Sequence, residues 1–532
     1  MSSISADTAC GPHQLASESL GSKICRKLDH QFDTVFGAAA NPWRHLGALG
    51  FLFLWIVVVS GIYVYIMFDT SVAGAYESIE SLSREQPLFG GLLRSLHRYA
   101  SDAFLIVTLL HLAREFLLGR YRGFRAFSWL TGVPLLWLTY AAGIGGFWLV
   151  WDQLGQFSAN ATAELLDAIP LFATPLTRNF LTASAVSDRM FSLFVFVHIG
   201  VPLLLLFGLW FHIQRISQAD VFPARALSAG TLAALLVLSL VLPVTGQGTA
   251  DMAQLPAALS FDWWYLAVHP LMYATSATTV WVLVFAITAL LLALPVLPSM
   301  RRKPAQVAEP VAEVAIVSPD NCSGCRRCLD DCPYAAISMI PHPNKKIGRE
   351  LAVVNADFCA ACGICAGSCP SSSPFRHNET LVTGIDMPQL PVDSIRRWLD
   401  EVLADETKHG EKIIVIGCDH AVDVSAIATT EIIPLSLICT GMLPPAFVEY
   451  AIRRGAAGVL LTGCRSGGCA FRQGNQWTED RIAGRREPHL RSNVDPSRVN
   501  IVWADRGDEA KLQIAISQFK YSLLEVSHEP SH

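Results

Sequence analysis

Charge is scarce in this chain: Asp, Glu, Lys and Arg make up 16% of 532 residues, while 52% are hydrophobic. That shortage excludes a wholly soluble protein, and the length excludes a single domain. The apolar excess is confined to residues 46–298, and the remainder reads as soluble. A net charge of -5 and the lack of a clustered basic face give no indication of nucleic-acid binding. The polar N-terminus, up to about Asn41, lacks the apolar core of a secretory signal. Insertion is therefore expected to use the transmembrane helices themselves. No G-x-G-x-x-G turn follows a strand-like run, so a dinucleotide-binding domain is without its signature.

What the apolar half does contain is histidine at a repeated interval. His97 and His111 lie 14 positions apart, as do His198 and His212. Each pair sits in a long apolar run, SLHRYASDAFLIVTLLHLAREFLL and FSLFVFVHIGVPLLLLFGLWFHIQ. On an α-helix this interval falls about 40° short of four turns, so both histidines share one face. The rise of ~21 Å fits inside a hydrocarbon slab of ~30 Å. Two such helices, face to face, offer two stacked His/His sites, each suited to axial ligation of a haem. One histidine on an apolar face is more often a satisfied core residue. Two intramembrane pairs at one spacing resist that reading, because polar groups in lipid are costly and usually functional. Gly47 and Gly61, and Gly132 and Gly146, repeat the same interval in adjacent apolar runs, leaving room for a porphyrin edge. Two b-type haems are expected.

Six apolar spans can be drawn, at about 46–68, 92–118, 127–150, 190–214, 226–243 and 275–298. Arg114, Arg120, Arg122 and Arg125 follow the second, Arg215 and Arg225 the fourth, and Arg301, Arg302 and Lys303 the sixth. All fall on one side if the N-terminus is cytoplasmic, as the positive-inside rule requires. The expected location is the cytoplasmic (inner) membrane, with both termini and the cysteine-rich half in the cytoplasm. His97 and His198 are then near the outer face, and His111 and His212 near the inner one.

The segments NPWRHLGALG, LLRSLHRYASDAFLIVTLLHLAREFL, WLTGVPLLWLTYAAGIGGFWLVWDQLGQFSA and DAIPLFATPL resemble cytochrome b of the bc-type quinol-oxidising complexes, over roughly residues 30–220. The resemblance implies a four-helix bundle with an outer haem on His97 and His198 and an inner haem on His111 and His212. It also implies propionate partners at Arg94, Arg98 and Arg114, which otherwise read as interfacial side chains, and a homodimer. The stretch SFDWWYLAVHPLMYA is similar to that family's PEWY segment, whose glutamate takes a quinol proton. Here the four aligned residues are Asp262, Trp263, Trp264 and Tyr265, and the glutamate position is a tryptophan. Asp262 is a candidate proton carrier and Tyr265 a neighbour in a quinone site. The other reading is an aromatic belt anchoring a loop at the interface.

Twelve of the fourteen cysteines fall between Cys322 and Cys469. Eight have metal-cluster spacing, which points to a reducing compartment and away from disulfides. Cys10 and Cys25 read as free thiols. After the linker KPAQVAEPVAEV come NCSGCRRCLDDCPYAAI and FCAACGICAGSCPSSS. These are two C-x2-C-x2-C-x3-C-P runs, in which three close thiolates wrap one face of a cubane and the fourth crosses to the other cluster. The expected sets are Cys322, Cys325, Cys328 and Cys369 for one [4Fe–4S], and Cys359, Cys362, Cys365 and Cys332 for the other. Structural zinc is the rival.

The last stretch reads as α/β, with EKIIVIGC and AAGVLLTGC as buried strands and VDSIRRWLDEVLAD and PPAFVEYAIRRG as helices. Cys418, Cys439, Cys464 and Cys469 each follow a strand-like run or lie in the loop after one. One sheet edge could therefore gather all four, although buried structural cysteines are common. ICTGMLPPAFVEYAIRRGAAGVLLTGCRSGGCAFRQGN resembles the iron–sulfur delta subunit of methyl-viologen-reducing hydrogenases. That resemblance implies a [2Fe–2S] cluster on these four cysteines. It also implies wiring of a hydrogenase or formate dehydrogenase to the flavoprotein of heterodisulfide reductase. Cys418, in GCDH, is the least typical of the four.

The expected fold class is multidomain. A cytoplasmic arm (1–45) precedes an all-α transmembrane dihaem bundle of about six helices (46–300) and a linker (301–314). A ferredoxin-like α+β domain with two [4Fe–4S] clusters (315–380) and an α/β [2Fe–2S] domain (391–532) follow. No flavin or nickel motif occurs, so the primary substrate is expected to be oxidised elsewhere. The expected function is a membrane-bound subunit of a quinone oxidoreductase, an enzyme by virtue of its complex. It would take electrons from a cytoplasmic flavoprotein or dehydrogenase and deliver them to quinone. The alternative is a non-catalytic haem and iron–sulfur anchor wiring a hydrogenase or heterodisulfide-reductase-like complex.

Overall fold

Three helices are both long and apolar enough to cross a membrane: Leu46–Ile66, Gly123–Val150 and Asp188–Ile213. The computed structural model describes residues 19–169, 181, 186–254, 258–297, 313–345, 349–376, 379–405 and 410–528. Cys10, Arg301, Arg302, Lys303, most of the linker and Pro170–Leu176 of the DAIPLFATPL segment lie outside them. The described residues divide into two units, one of residues 19–214 and 219–297, the other of residues 215–218 and 313–528.

The helices of the apolar unit are α1 (Leu20–Phe36), α2 (Leu46–Ile66), α3 (Ala75–Glu85), α4 (Gly90–Leu117) and α5 (Ala126–Val150). They continue as α6 (Gln153–Asp167), α7 (Asp188–Ile213), α8 (Arg225–Val241), α9 (Val268–Ala274) and α10 (Ala277–Ala293). α2, α5 and α7 are apolar all round, as a helix with no aqueous face must be. α4 has 28 residues but carries Arg94, Arg98, Asp102, Arg114 and Glu115, so composition does not mark it as a span. α8 and α10 have 17 residues each, ~26 Å of rise, a little under the slab thickness. Among the described residues, then, three of the six expected spans have both the length and the composition.

α2 packs along α4, and α5 along α7. Leu49, Phe53, Leu54, Leu96, Ala100, Phe104, Leu135 and Leu205 fill the space between them. The described part of the polar arm is itself structured. Ser19 caps α1, accepting from Ser22 N at 3.0 Å, and Cys25 is a fully buried free thiol packed with Trp43 and Leu46. Asp29 of α1 lies 3.8 Å from Arg114 of α4. The loop after α5 begins α6 with a cap: Asp152 accepts from Gly155 N (2.8 Å) and also from Gln247 N (2.9 Å).

In the second unit, β1 (Ile316–Val317) pairs antiparallel with β4 (Ile385–Asp386). β2 (Ile337–Pro341) pairs antiparallel with β3 (Glu350–Val354), from Ile337 opposite Val354 to Pro341 opposite Glu350. Two five-residue helices, α11 (Arg327–Asp331) and α12 (Ile364–Ser368), each begin just before the third cysteine of a run and contain it. Through the β1–β4 pair, the chain past residue 380 joins this region as far as Asp386.

β5 (Ile413–Cys418), β6 (Ile432–Leu437), β7 (Gly458–Gly463) and β8 (Val499–Trp503) form a parallel sheet in the order β6-β5-β7-β8. Its central strands are buried on both faces, as a sheet covered by helices on both sides requires. Ile414 and Ile416 point into the core shared with α13 (Val392–Val402) and α14 (Ala446–Arg453). Ile413 and Val415 point toward Leu512, Ile516 and Phe519 of α16 (Glu509–His528); α15 (Gly474–Ile482) lies between β7 and β8 in sequence. The strands β6 and β8 and the last two helices had no distinct sequence reading.

Candidate redox centres

Each of the four histidines meets a glycine on the helix packed against its own. An added Cβ would lie 2.8 Å from His97 Cε1 at Gly61, 3.5 Å from His111 at Gly47, 3.1 Å from His198 at Gly146 and 3.3 Å from His212 at Gly132. The ladder of glycines thus makes room for imidazole rings level by level. His97 Nδ1 bonds Val57 O at 2.9 Å, His198 Nδ1 bonds Ala142 O at 3.0 Å, and His212 Nδ1 bonds Thr131 Oγ1 at 3.1 Å. A ring that donates from Nδ1 presents a bare Nε2 to a ligand. The His97 and His198 rings approach edge to face, with centroids 6.3 Å apart and planes at 65°. Two metal–imidazole bonds of about 2 Å plus two ring radii of about 1.1 Å span nearly that distance. The residues fit a bis-imidazole haem.

The three arginines named as propionate partners are engaged with carboxylates. Arg94 bonds Glu80 (2.6 Å) and Ser83 Oγ (2.9 Å), and Arg114 lies 3.5 Å from Glu115 and 3.8 Å from Asp29. Arg98 donates to both Asp102 and Asp262. Asp262 also accepts from Tyr265 N at 2.7 Å, and the buried Tyr265 hydroxyl donates to Ser101 O at 2.8 Å. Asp262 and Tyr265 are therefore tied to α4, one turn beyond His97. Trp263 and Trp264 are exposed. His269, missed in the sequence, is fully buried in α9 just after the Asp262 loop and bonds Thr162 Oγ1 through Nε2 at 3.0 Å.

In the second unit the eight cysteines of the repeated runs line two cavities. Cys322, Cys325, Cys328 and Cys369 line one, with Met339, Ala352 and Ile385. Cys332, Cys359, Cys362 and Cys365 line the other, with Ile337, Ile364 and Met387. The fourth cysteine of each run stands with the first three of the other. Burial, then the neighbouring Cys369, Cys325 and Cys322 sulfurs, push the Cys328 thiol up to about 12, and burial raises Cys362 and Cys365 further. Four crowded thiols walled by apolar side chains fit a cubane, which takes them as thiolates.

Cys418 closes β5, Cys439 lies just past β6, Cys464 follows β7 and Cys469 lies in the loop beyond, so all four reach the carboxyl edge of the sheet. That is the edge where parallel α/β sheets bind ligands. All four are buried free thiols. They close a ring of contacts, Cys418 to Cys439 and Cys464, and Cys469 to the same two. Donation to Cys418 and Cys469 pushes Cys439 and Cys464 up, and the converse bonds pull Cys418 and Cys469 down. The set fits a compact four-thiolate group. Cys418 takes full part despite its sequence context. Gly474 is required beside Cys439, because a Cβ there would overlap Cys439 Sγ. Neither Gly474 nor the buried Arg481 carried a signal in a single sequence.

Residues 33–219 match the family Cytochrome b/b6/petB, residues 321–373 the 4Fe-4S dicluster domain, and residues 410–526 the delta subunit of methyl-viologen-reducing hydrogenase. A solved structure titled "Hyperthermophilic respiratory Complex III" is similar over 52% of this chain and 83% of that one, at 20% identity and a TM-score of 0.40. The four histidines, the eight run cysteines and the last four cysteines each fall within one matched stretch, whereas Asp262 and Tyr265 lie beyond the first. The chain is an integral membrane protein with a cytochrome b/b6 region, which implies haem, a 4Fe-4S dicluster domain, which implies iron–sulfur clusters, and a methyl-viologen-reducing hydrogenase delta-subunit domain, in that order.

Proposed function

We propose that this protein is the membrane-bound electron-transfer subunit of a quinone oxidoreductase complex. It carries one-electron chemistry between a cytoplasmic flavoprotein or dehydrogenase and the quinone pool. His97 and His198 hold an outer b haem and His111 and His212 an inner one, in a bundle of six spans with both termini cytoplasmic. The two crossed cysteine sets hold [4Fe–4S] clusters, and Cys418, Cys439, Cys464 and Cys469 hold a [2Fe–2S] cluster. When bound, these groups supply one-electron steps, and the protein's part is to fix, bury and order them.

The observation that carries this reading is that three separate sets of four thiols share a chain with two imidazoles whose centroids lie 6.3 Å apart, the separation of a bis-histidine iron site. The favoured direction is quinone reduction. An electron moving from the cytoplasm toward the outer face runs with the usual membrane potential, at ~2.3 kcal/mol per charge per 100 mV. On that outer side, Asp262 would carry the proton and Arg98 would hold its carboxylate.

The test is reoxidation of the pre-reduced, purified protein by a soluble quinone, followed through haem and cluster absorbance. Quinone is expected to oxidise both. Reduction of the clusters by quinol with no energy source, together with failure of quinone to oxidise them, would reverse the direction. A second reading, a haem and iron–sulfur anchor with quinone chemistry on a partner, is favoured by one observation: Asp262 is already engaged in an ion pair with Arg98.

A further inference from the structure

Arg481 is among the most deeply buried side chains of the molecule, with 1% of its surface exposed. Its Nη1 donates to Gly441 O at 2.8 Å, and its Nη2 donates to the Asp331 carboxylate and lies 3.5 Å from Ile364 O. Those three acceptors belong to three ligand-bearing segments. Gly441 lies two residues past Cys439, Asp331 immediately precedes Cys332, and Ile364 precedes Cys365.

The same segments touch through glycine. A Cβ on Gly367 of α12 would overlap Gly441 O and lie 2.7 Å from Arg481 Nη1. A Cβ on Gly441 would lie 3.0 Å from Gly474 Cα, and one on Gly474 would overlap Cys439 Sγ. Gly367 and Gly441 thus let the Cys439 loop approach α12 closely, with the Ile364 side chain packed beside Gly441. Arg486 completes the arrangement: its Nε donates to Asp331 at 2.7 Å, and its guanidinium lies 3.5 Å from the centroid of the Trp477 ring. Trp477 Nε1 in turn donates to Asp331 O at 3.2 Å. Two arginines against one carboxylate leave a net positive charge between the two thiol sets.

We infer that Arg481 is a positioning residue that clamps the Cys418/Cys439/Cys464/Cys469 site onto the Cys332/Cys359/Cys362/Cys365 site and, through its buried charge, sets both reduction potentials. This rests on the ligand sets proposed above. The pair works as one relay. One electron leaves the first site, which is oxidised by one, and enters the second, which is reduced by one; no proton moves and no bond is made or broken. A buried cation beside a metal–thiolate group favours its reduced, more negative form, as charge and hydrogen bonding around a cluster set its potential.

The test is an EPR-monitored redox titration of the purified full-length protein. Arg481→Met is expected to lower both potentials by about a tenfold change in the reduction equilibrium, 59 mV for one electron, leaving the haem potentials in place. Arg481→Lys is expected to recover most of the shift. Asp331→Asn, which removes the opposing charge, is expected to move both potentials the other way, an opposition that loss of structure would not produce. If Arg481→Met keeps its iron and neither potential moves, the inference is wrong. If Arg481→Met loses iron, Asp331→Asn decides, and unmoved potentials there refute it equally. Wild-type protein whose iron and sulfide match two cubanes alone would instead overturn the proposed ligand sets.

Discussion

The Arg98 guanidinium holds the Asp262 carboxylate, joining the middle of α4 to the loop before α9. Asp262 is therefore both the proposed proton carrier and part of what fixes that loop. Asp262→Asn is expected to slow haem reoxidation by quinone by about a hundredfold, the lower range for loss of a general acid–base group. Haem content in the variant checks that the fold survives loss of the ion pair. An unchanged rate at full haem content would favour the anchor reading.

The glycines opposite the histidines make a graded series. Gly61→Ala places a methyl 2.8 Å from a His97 ring held by Val57 O, so the ring must move off its axis. Gly47→Ala leaves an ordinary 3.5 Å contact with His111. Reduced-minus-oxidised spectra are expected to show the outer haem diminished in the first variant and both haems retained in the second.

Crossing of the cysteine runs makes a specific demand. Cys369→Ala alters the cavity that also holds Cys322, Cys325 and Cys328, not the one beside its own sequence neighbours. EPR of the reduced protein is expected to lose or alter the Cys322 cluster and keep the Cys359 cluster. The opposite result would mean that each run serves its own site.

At the sheet edge, Gly474→Val drives two methyl groups toward Cys439 Sγ, where even a Cβ overlaps. Loss of the [2Fe–2S] signal with both cubane signals intact is expected. Retention of all three signals would show that Cys439 is not a ligand.

Asp386 gives a pH dependence. Burial pushes its carboxyl up to about 6, against bonds from Met387 N and Val392 N that pull it down. The folded state keeps a proton that the unfolded chain releases near pH 4, so this group's stabilising contribution is present at low pH and is lost as pH rises through about 6. Asp386→Asn is expected to raise stability by roughly 1–2 kcal/mol at pH 8 and to change little near pH 4. Thermal unfolding followed by near-UV circular dichroism at the two pH values measures it.

Histidine spacing and the cysteine runs were legible because their chemistry is local: a 14-residue interval fixes a helix face, and C-x2-C-x2-C-x3-C-P wraps one cluster. Strands β5 and β7 were legible as continuous apolar runs. β6 and β8 were not, since β6 contains a proline and a half-exposed face, and β8 is polar at Asn500. Arg94, Arg98 and Arg114 show the limit of the residue-by-residue reading. Their partners, Glu80, Asp262 and Asp29, lie on other elements that only the fold brings near. Arg481 was invisible for the same reason, because its three acceptors span residues 331 to 441.

The four thiols at the carboxyl edge come from the ends of β5, β6 and β7 and a loop beyond, so no short peptide contains the site. Metal binding to such a set is coupled to folding of the whole sheet. The cysteines of the two runs, by contrast, offer three thiols within a few residues and need only one from a distance. Taking away any one of the three strands therefore removes a donor from the last set, whereas each run keeps three of its four donors within seven residues.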